Sequence, residues 1–261
     1  MNLRTIDPIS RSRNHTPVSP RDSAAPFPPT RLSILERIRS GVPEVRREAY
    51  GALAQGYWKP IYKYLRIKWK ADVAEAEDLT QAFLATAYEK AFFERFEPEK
   101  ARFRTFLRTC LDRFVMNERK AAGRLKRGGG LKFVALEFED AEGELRQIQV
   151  EDPIDVETFF RQEMIRDLFA RTLRQVRDDF DDRGKSAQFQ LFERYDLEPS
   201  TELTYADLAE EFGLTVTQVT NHLAAVRRAF RDGALRNLQE ISGTETEYRA
   251  DAREIFGIEV R

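Results

Sequence analysis

The run TYADLAEEFGLTVTQVTNHLAAVRRAF at residues 204–230 leaves few arrangements open. Leu208, Ala209 and Phe212 fall on one face of a first helix, and Gly213 supplies a tight turn. Thr215 then stands where it can cap a second helix that turns Val216, Val219 and Leu223 inward. That is the pattern of a helix-turn-helix pair. The opposite face of the second helix carries Thr217, Gln218, Thr220 and Asn221, with His222 beside them and Arg227 and Arg228 farther along. Short hydrogen-bonding side chains suit base edges and the cations suit phosphates. The segment therefore reads as a DNA-contacting element, with plain helical packing as the competing reading.

The rest of the chain is long enough for one large or two small domains: 261 residues, 41% hydrophobic and 33% charged, a helical composition. No apolar run is long enough to cross a bilayer and the amino terminus lacks the stretch of a secretion signal, so a cytoplasmic protein without a membrane partner is expected. A single cysteine, Cys110, and two histidines, His15 and His222, give no metal-site spacing. No metal or cofactor is implied. Cys110 lies in an apolar helical pattern and reads as a small core residue.

Charge is segregated. Residues 100–127 hold ten Lys or Arg against two acids, whereas residues 137–157 hold nine acids against Arg146 alone. The basic block can neutralise nucleic-acid phosphates. The acidic block would be repelled from a duplex and could instead occupy a basic channel on a protein partner, unless the two merely balance each other as solvated faces.

Residues 1–29 mix Pro, Ser, Arg and Thr without periodicity and read as a disordered tail. Short helices follow at SILERIRS, PEVRREAYGALAQGY and YWKPIYKYLRIKWK, the last with Trp58, Ile61, Tyr62, Leu65 and Trp69 at helical spacing. The periodicity predicts a helix over 74–93 with Leu79, Phe83, Leu84, Ala87 and Tyr88 buried. Another is predicted over 104–125 with Phe106, Leu107, Leu111, Phe114 and Val115 inward. Gly128–Gly130 break the chain, and LKFVALEFED and ELRQIQV flank an AEGE turn with the pattern of a small hairpin. Helical periodicity returns over 156–180 and 185–195. The fold class is all-α: a helical domain at 30–127, an acidic flexible linker at 128–155, a second helical domain at 156–235 and a carboxy-terminal extension at 236–261.

The order EAEDLTQAFLATAYEK, then FEPEKARFRTFLRTCLDRFVMNERKAAGRLKR, then LTYADLAEEFGLTVTQVTNHLAAVRRAF resembles regions 2 and 4 of the extracytoplasmic-function group of bacterial RNA polymerase sigma factors. The resemblance covers roughly residues 30–235. It implies a protein with no catalytic residues whose partners are core RNA polymerase and promoter DNA, read at the minus 35 and minus 10 elements. On the 74–93 helix, Asp78, Gln81, Ala82, Ala85 and Glu89 fall opposite the buried stripe. In similar sigma factors the matching positions dock on the clamp helices of the β′ subunit, which points to Asp78 and Gln81 here. The resemblance assigns the minus 10 element to Lys100, Arg102, Arg104, Arg108, Arg113, Asn117, Arg119 and Lys120. Phe96 and Phe103, in the loop like the one that captures a flipped base, stay open between base contact and core packing.

Two departures from the family pattern matter. Arg113 and Asn117 stand where Asn and Asp are usual, which alters the expected promoter preference. Ala82 follows Gln81 where the family often has an acid, so one docking charge is missing. A phosphate on nearby Thr86, which faces outward beside Ala82, or on Thr80, which points toward the buried stripe and would need local opening, would supply it through a Ser/Thr kinase partner. An anti-sigma factor is the other regulatory partner to expect, and helix packing is the plainer reading of both threonines. The competing function is a helix-turn-helix regulator acting without polymerase. An enzyme ranks behind both, because no nucleophile, base or phosphate-cradling loop is assembled in the sequence.

Overall fold

The computed structural model describes residues 33–122, 136–146, 155–198 and 203–260. Among them the regular elements are helices: α1 (Ile34–Ile38), α2 (Pro43–Lys68), α3 (Val73–Glu89), α4 (Phe103–Ala122), α5 (Phe138–Arg146), α6 (Val156–Asp182), α7 (Ser186–Phe192), α8 (Tyr205–Glu211), α9 (Val216–Ile241) and α10 (Glu245–Phe256). None is long and apolar enough to cross a membrane among the described residues. The expected tail at 1–29 and the glycine break at 128–130 lie outside the described residues.

The chain forms two compact units, one from Leu32–Thr172 with Gly233–Arg261, the other from Leu173–Asp232. In the first, α2 is the central helix, with α1, α3 and α5 packed around it. Its residues from Tyr57 to Leu65 are all buried, so the helix is covered on every side. This is why two predicted helices are one. Pro60 removes an i to i−4 hydrogen bond from the interior of α2, but the surrounding packing holds the helix continuous through it. Tyr50 donates its hydroxyl to the Ala87 carbonyl of α3 at 3.2 Å, and Tyr57 to the Ile241 carbonyl at 2.9 Å. These two hydroxyls are thus spent on backbone acceptors of neighbouring helices.

Helix α3 begins at Asp72, which accepts from the Glu75 amide at 2.8 Å, and stops at Glu89 rather than continuing to Phe93. Ala91 adopts a left-handed φ of 51°, and the chain restarts as a single 3-10 turn, Phe92–Arg95, that buries Phe93. The predicted stripe of Leu79, Phe83, Leu84 and Ala87 is buried, with Tyr88 half-buried.

The hairpin expected around AEGE does not form. Phe138, Ala141 and Leu145 recur at helical spacing and are buried, which makes those residues the interior of α5. Phe138 meets Trp58 edge-on at 5.4 Å and lies 5.3 Å from Tyr62. The residues outside 136–146 that would have completed the strands are not among those described. Over residues 136–146 the acidic segment packs on α2. Glu142 accepts from Tyr62 and Arg66 of α2, and Glu144 from Lys59 and Lys63 at 2.7 Å each. Lys63 also donates to Glu163 of α6 at 2.7 Å. A network of this kind costs desolvation that its own attractions roughly offset. Its consequence is orientation: a helix carrying these acids can seat on α2 in one register.

The partition differs from the expected boundaries at 156 and 235. Phe160, Met164 and Leu168 of α6 join the core of the first unit, with the Phe160 ring 5.6 Å from that of Tyr64. Leu238, Ile241, Tyr248 and Ala252 join the same core, so the segment read as an extension is part of that unit.

In the second unit, Phe189, Phe192, Leu208, Val219, Leu223, Val226 and Phe230 are buried. Thr204 caps α8 reciprocally with Asp207, and Gly213 makes the turn at a φ of 63°, a conformation a side chain would strain. Between α7 and α8 the chain runs through a π-helical turn, Glu193–Leu197.

Candidate nucleic-acid interface

The basic residues of α4 separate into two groups that the sequence does not distinguish. Those at its start are engaged within the chain. Arg104, buried, donates to both carboxylate oxygens of Asp251 on α10 at 3.0 and 3.1 Å. Arg102 donates to Asp251 at 3.0 Å and lies 3.7 Å from Glu254. Arg108 pairs with Glu157 of α6, which also accepts from Thr105 at 3.0 Å. Glu247 of α10 accepts from the Phe103 amide at 2.7 Å, and burial pushes its carboxyl above the usual range against the pull of that N–H. Lys100 pairs with Glu97 on the surface. Arg104 and Arg108, which the sequence offered to a DNA strand, are thus paired within the chain. They lie on the flank of α4 that faces α10 and α6, and their charges are already neutralised.

The second group is exposed. Arg113, Asn117 and Lys120 lie at i, i+4 and i+7 on one stripe, and Met116, 44% exposed, sits among them at i+3. Sequence reading missed Met116; its signal was an apolar residue placed on the hydrophilic face of an amphipathic helix. Arg119 is half-exposed, stacked 5.3 Å from the Trp69 ring and bonded to Glu75 at 3.0 Å. Behind the stripe, Asp112 accepts from Trp69 at 2.9 Å, Tyr64 at 3.0 Å and Lys68 at 2.7 Å, which ties α4 to the end of α2. The open aromatic question closes on the structural side. Phe96 and Phe103 are buried with their rings 5.3 Å apart, edge to face, and Phe103 also meets Phe93 at 5.6 Å. Arg124, Lys126 and Arg127 lie outside the described residues.

On α3, Asp78, Gln81 and Glu89 are exposed. The face is narrower than predicted, because Ala85 is buried and Ala82 is half-buried against the core. Thr80 points into the core as its helical position predicts: it is wholly buried and donates its hydroxyl to the Ala76 carbonyl at 2.7 Å, so a kinase would need local opening to reach it. Thr86 is partly exposed.

In the helix-turn-helix, Val219 and Leu223 are buried as predicted, whereas Val216 is 49% exposed. It occupies the first turn of α9, where the helix has not yet reached its partners. Thr217, Gln218, Thr220 and Asn221 are exposed and His222 half-exposed. Thr215 and Gln218 cap the helix reciprocally: the Gln218 amide donates to Thr215 Oγ1 at 3.3 Å, and Gln218 Oε1 accepts from the Thr215 amide and hydroxyl at 2.8 and 2.9 Å. Arg228 is exposed, whereas Arg227 is engaged within the chain. It donates two hydrogen bonds of 2.9 Å to Asp196 and one of 3.3 Å to Tyr205, and stacks 5.6 Å from Tyr195.

Residues 53–125 match the family model described as Sigma-70 region 2, a span that runs from within α2 through α3 and α4. The chain thus carries a domain of the kind with which sigma factors bind RNA polymerase and melt promoters. No curated protein and no solved structure is significantly similar to the chain.

Proposed function

We propose that the chain is an alternative RNA polymerase sigma factor of the extracytoplasmic-function kind. The observation that carries this reading is the coincidence of the region 2 match with two exposed surfaces on that same segment: the Asp78 and Gln81 face of α3 and the cationic stripe of α4. The α3 face would dock on the β′ clamp helices. The stripe of Arg113, Asn117 and Lys120, with Arg119 beside it, would hold the separated minus 10 strand, its cations on phosphates and Met116 against an unstacked base. Helices α8 and α9 would read the minus 35 duplex through the exposed first turns of α9.

Reconstituted transcription with core polymerase across a promoter library tests the whole reading, and initiation from a defined pair of elements is the expected result. Specific binding of promoter duplex by the chain alone, with no initiation when core is added, would instead identify a regulator that acts without polymerase. Replacing Asp78 and Gln81 together by Ala should lower affinity for core while leaving the melting temperature nearly unchanged, since both side chains are exposed. Regulation by phosphate belongs to Thr86 alone. Thr86→Glu should then tighten core binding, and unchanged affinity would assign that threonine to helix packing.

A further inference from the structure

The first turns of α9 hold a set of side chains whose hydrogen-bonding capacity is partly spent, and what remains unspent defines what they can read. Gln218 has its carbonyl oxygen committed to the Thr215 amide and hydroxyl. A glutamine recognises adenine in the major groove by accepting from N6 and donating to N7 at once. With its oxygen engaged in the cap, Gln218 retains only its amide hydrogens, so it can donate to an acceptor but cannot select adenine. Asn221, exposed one turn further on, makes no hydrogen bond within the described chain and keeps both halves of its amide. Thr220 donates its hydroxyl to the Val216 carbonyl at 2.9 Å, so its donor is also spent. Val216 precedes it by four residues, which sets the two on one flank of the helix, and Val216 is one of the four large apolar side chains exposed among the described residues.

We infer that Val216 is a base-reading residue and that, with Asn221, it directs α9 toward an A·T-containing step. Asn221 pairs with the N6 and N7 edge of adenine, and the Val216 isopropyl group packs on the C5 methyl of a thymine. This rests on the reading of α8 and α9 as the duplex-reading element. The thymine methyl is the one apolar group on the major-groove edge of the bases, so it is the natural contact for an apolar side chain presented there. Val216 is not needed for the core, which Val219, Leu223 and Val226 already fill.

The test pairs a protein change with the removal of one methyl group from the DNA. The full chain with core polymerase is assayed on its best promoter duplex and on duplexes in which each upstream thymine is replaced by uracil, which lacks only the methyl. Wild type should lose about four-fold affinity at one thymine, the worth of one buried methyl-sized group. Val216→Ala should lose affinity for the thymine duplex and show no further loss with uracil. Asn221→Ala should lower discrimination for adenine roughly ten- to a hundredfold, while Gln218→Ala should leave adenine preference unchanged. Uracil replacement that is silent at every position, or equally costly in wild type and Val216→Ala, overturns the role of Val216. A chain that shows no sequence-specific upstream contact in any form overturns the underlying reading instead, so the two failures are distinct. Circular dichroism of each variant should match wild type, because the three side chains are exposed.

Discussion

Gly51 and Gly56 lie five residues apart in α2 and invite the same substitution with opposite results. An interior helical glycine replaced by alanine ordinarily gains about 1 kcal/mol, from restricted unfolded-state freedom and better helix propensity. At Gly51 a Cβ would meet nothing within 4 Å, so Gly51→Ala should stabilise by roughly that amount. At Gly56 the new Cβ would stand 2.1 Å from Ile241 Cγ2, with the Arg171 guanidinium nitrogens at 3.4 and 3.5 Å. Ordinary carbon–carbon contact is about 3.5–4.0 Å, so roughly 1.5 Å must be recovered by moving the end of α9 away from α2. Overpacking of this kind costs about 1–3 kcal/mol, which leaves Gly56→Ala between break-even and about 2 kcal/mol destabilising after the propensity gain. Ile241 matters because it leads directly to α10, whose Asp251 and Glu247 engage Arg104 and the Phe103 amide. The assay is urea denaturation followed by tryptophan fluorescence, since both tryptophans, Trp58 and Trp69, belong to this unit. Ile241→Ala alone should cost about 2–5 kcal/mol. In that background Gly56→Ala should become favourable, a coupling of at least about 1 kcal/mol. If Gly56→Ala stabilises the wild-type background as much as Gly51→Ala does, the close seating of α9 on α2 is refuted.

Arg104→Ala should lower stability by about 1–3 kcal/mol, because the buried Asp251 carboxylate then keeps Arg102 alone. Arg113→Ala should instead leave the denaturation midpoint in place and weaken strand binding, with a smaller salt dependence. The same contrast separates Arg227→Ala, expected to cost about 1–3 kcal/mol in the second unit, from Arg228→Ala, expected to reduce DNA affinity uniformly across sequences in a binding titration. The Arg66 guanidinium holds the Glu142 carboxyl below its ordinary 4.5, against burial and with help from Tyr62. A folded-state pKa below the unfolded one contributes stability that is complete above about pH 4.5 and lost as pH falls through the lowered value. Glu142→Gln should therefore flatten the acid limb of the stability profile below that pH, as acid titration at fixed urea would show. Burial raises the Cys110 thiol to about 11, so thiol reagents at pH 8 should find about a thousandth of it as thiolate and react much more slowly than after unfolding.

What could be read from the residues alone was whatever neighbours within a turn or two enforce. The helix-turn-helix, its Gly213 turn and its Thr215 cap depend on contacts three or four residues apart, and the buried stripes of α3 and α4 follow from helical periodicity. Local sequence was misleading where a partner comes from far along the chain. Arg104 looks like any other member of a basic block until Asp251, 147 residues away, takes its charge, and Arg227 until Asp196 does the same from 31 residues away. The AEGE segment carries turn residues, yet it is helical because Trp58 and Tyr62 cover Phe138 and because four cations of two helices and a tyrosine receive its acids. Val216 fits the apolar spacing of α9 but is left outside, since the core it would join begins one turn later, at Val219. Periodicity states which residues can share a face. Which of those faces is covered, and which cation stays free to meet a phosphate, is set by long-range packing that desolvates some groups and leaves others in water.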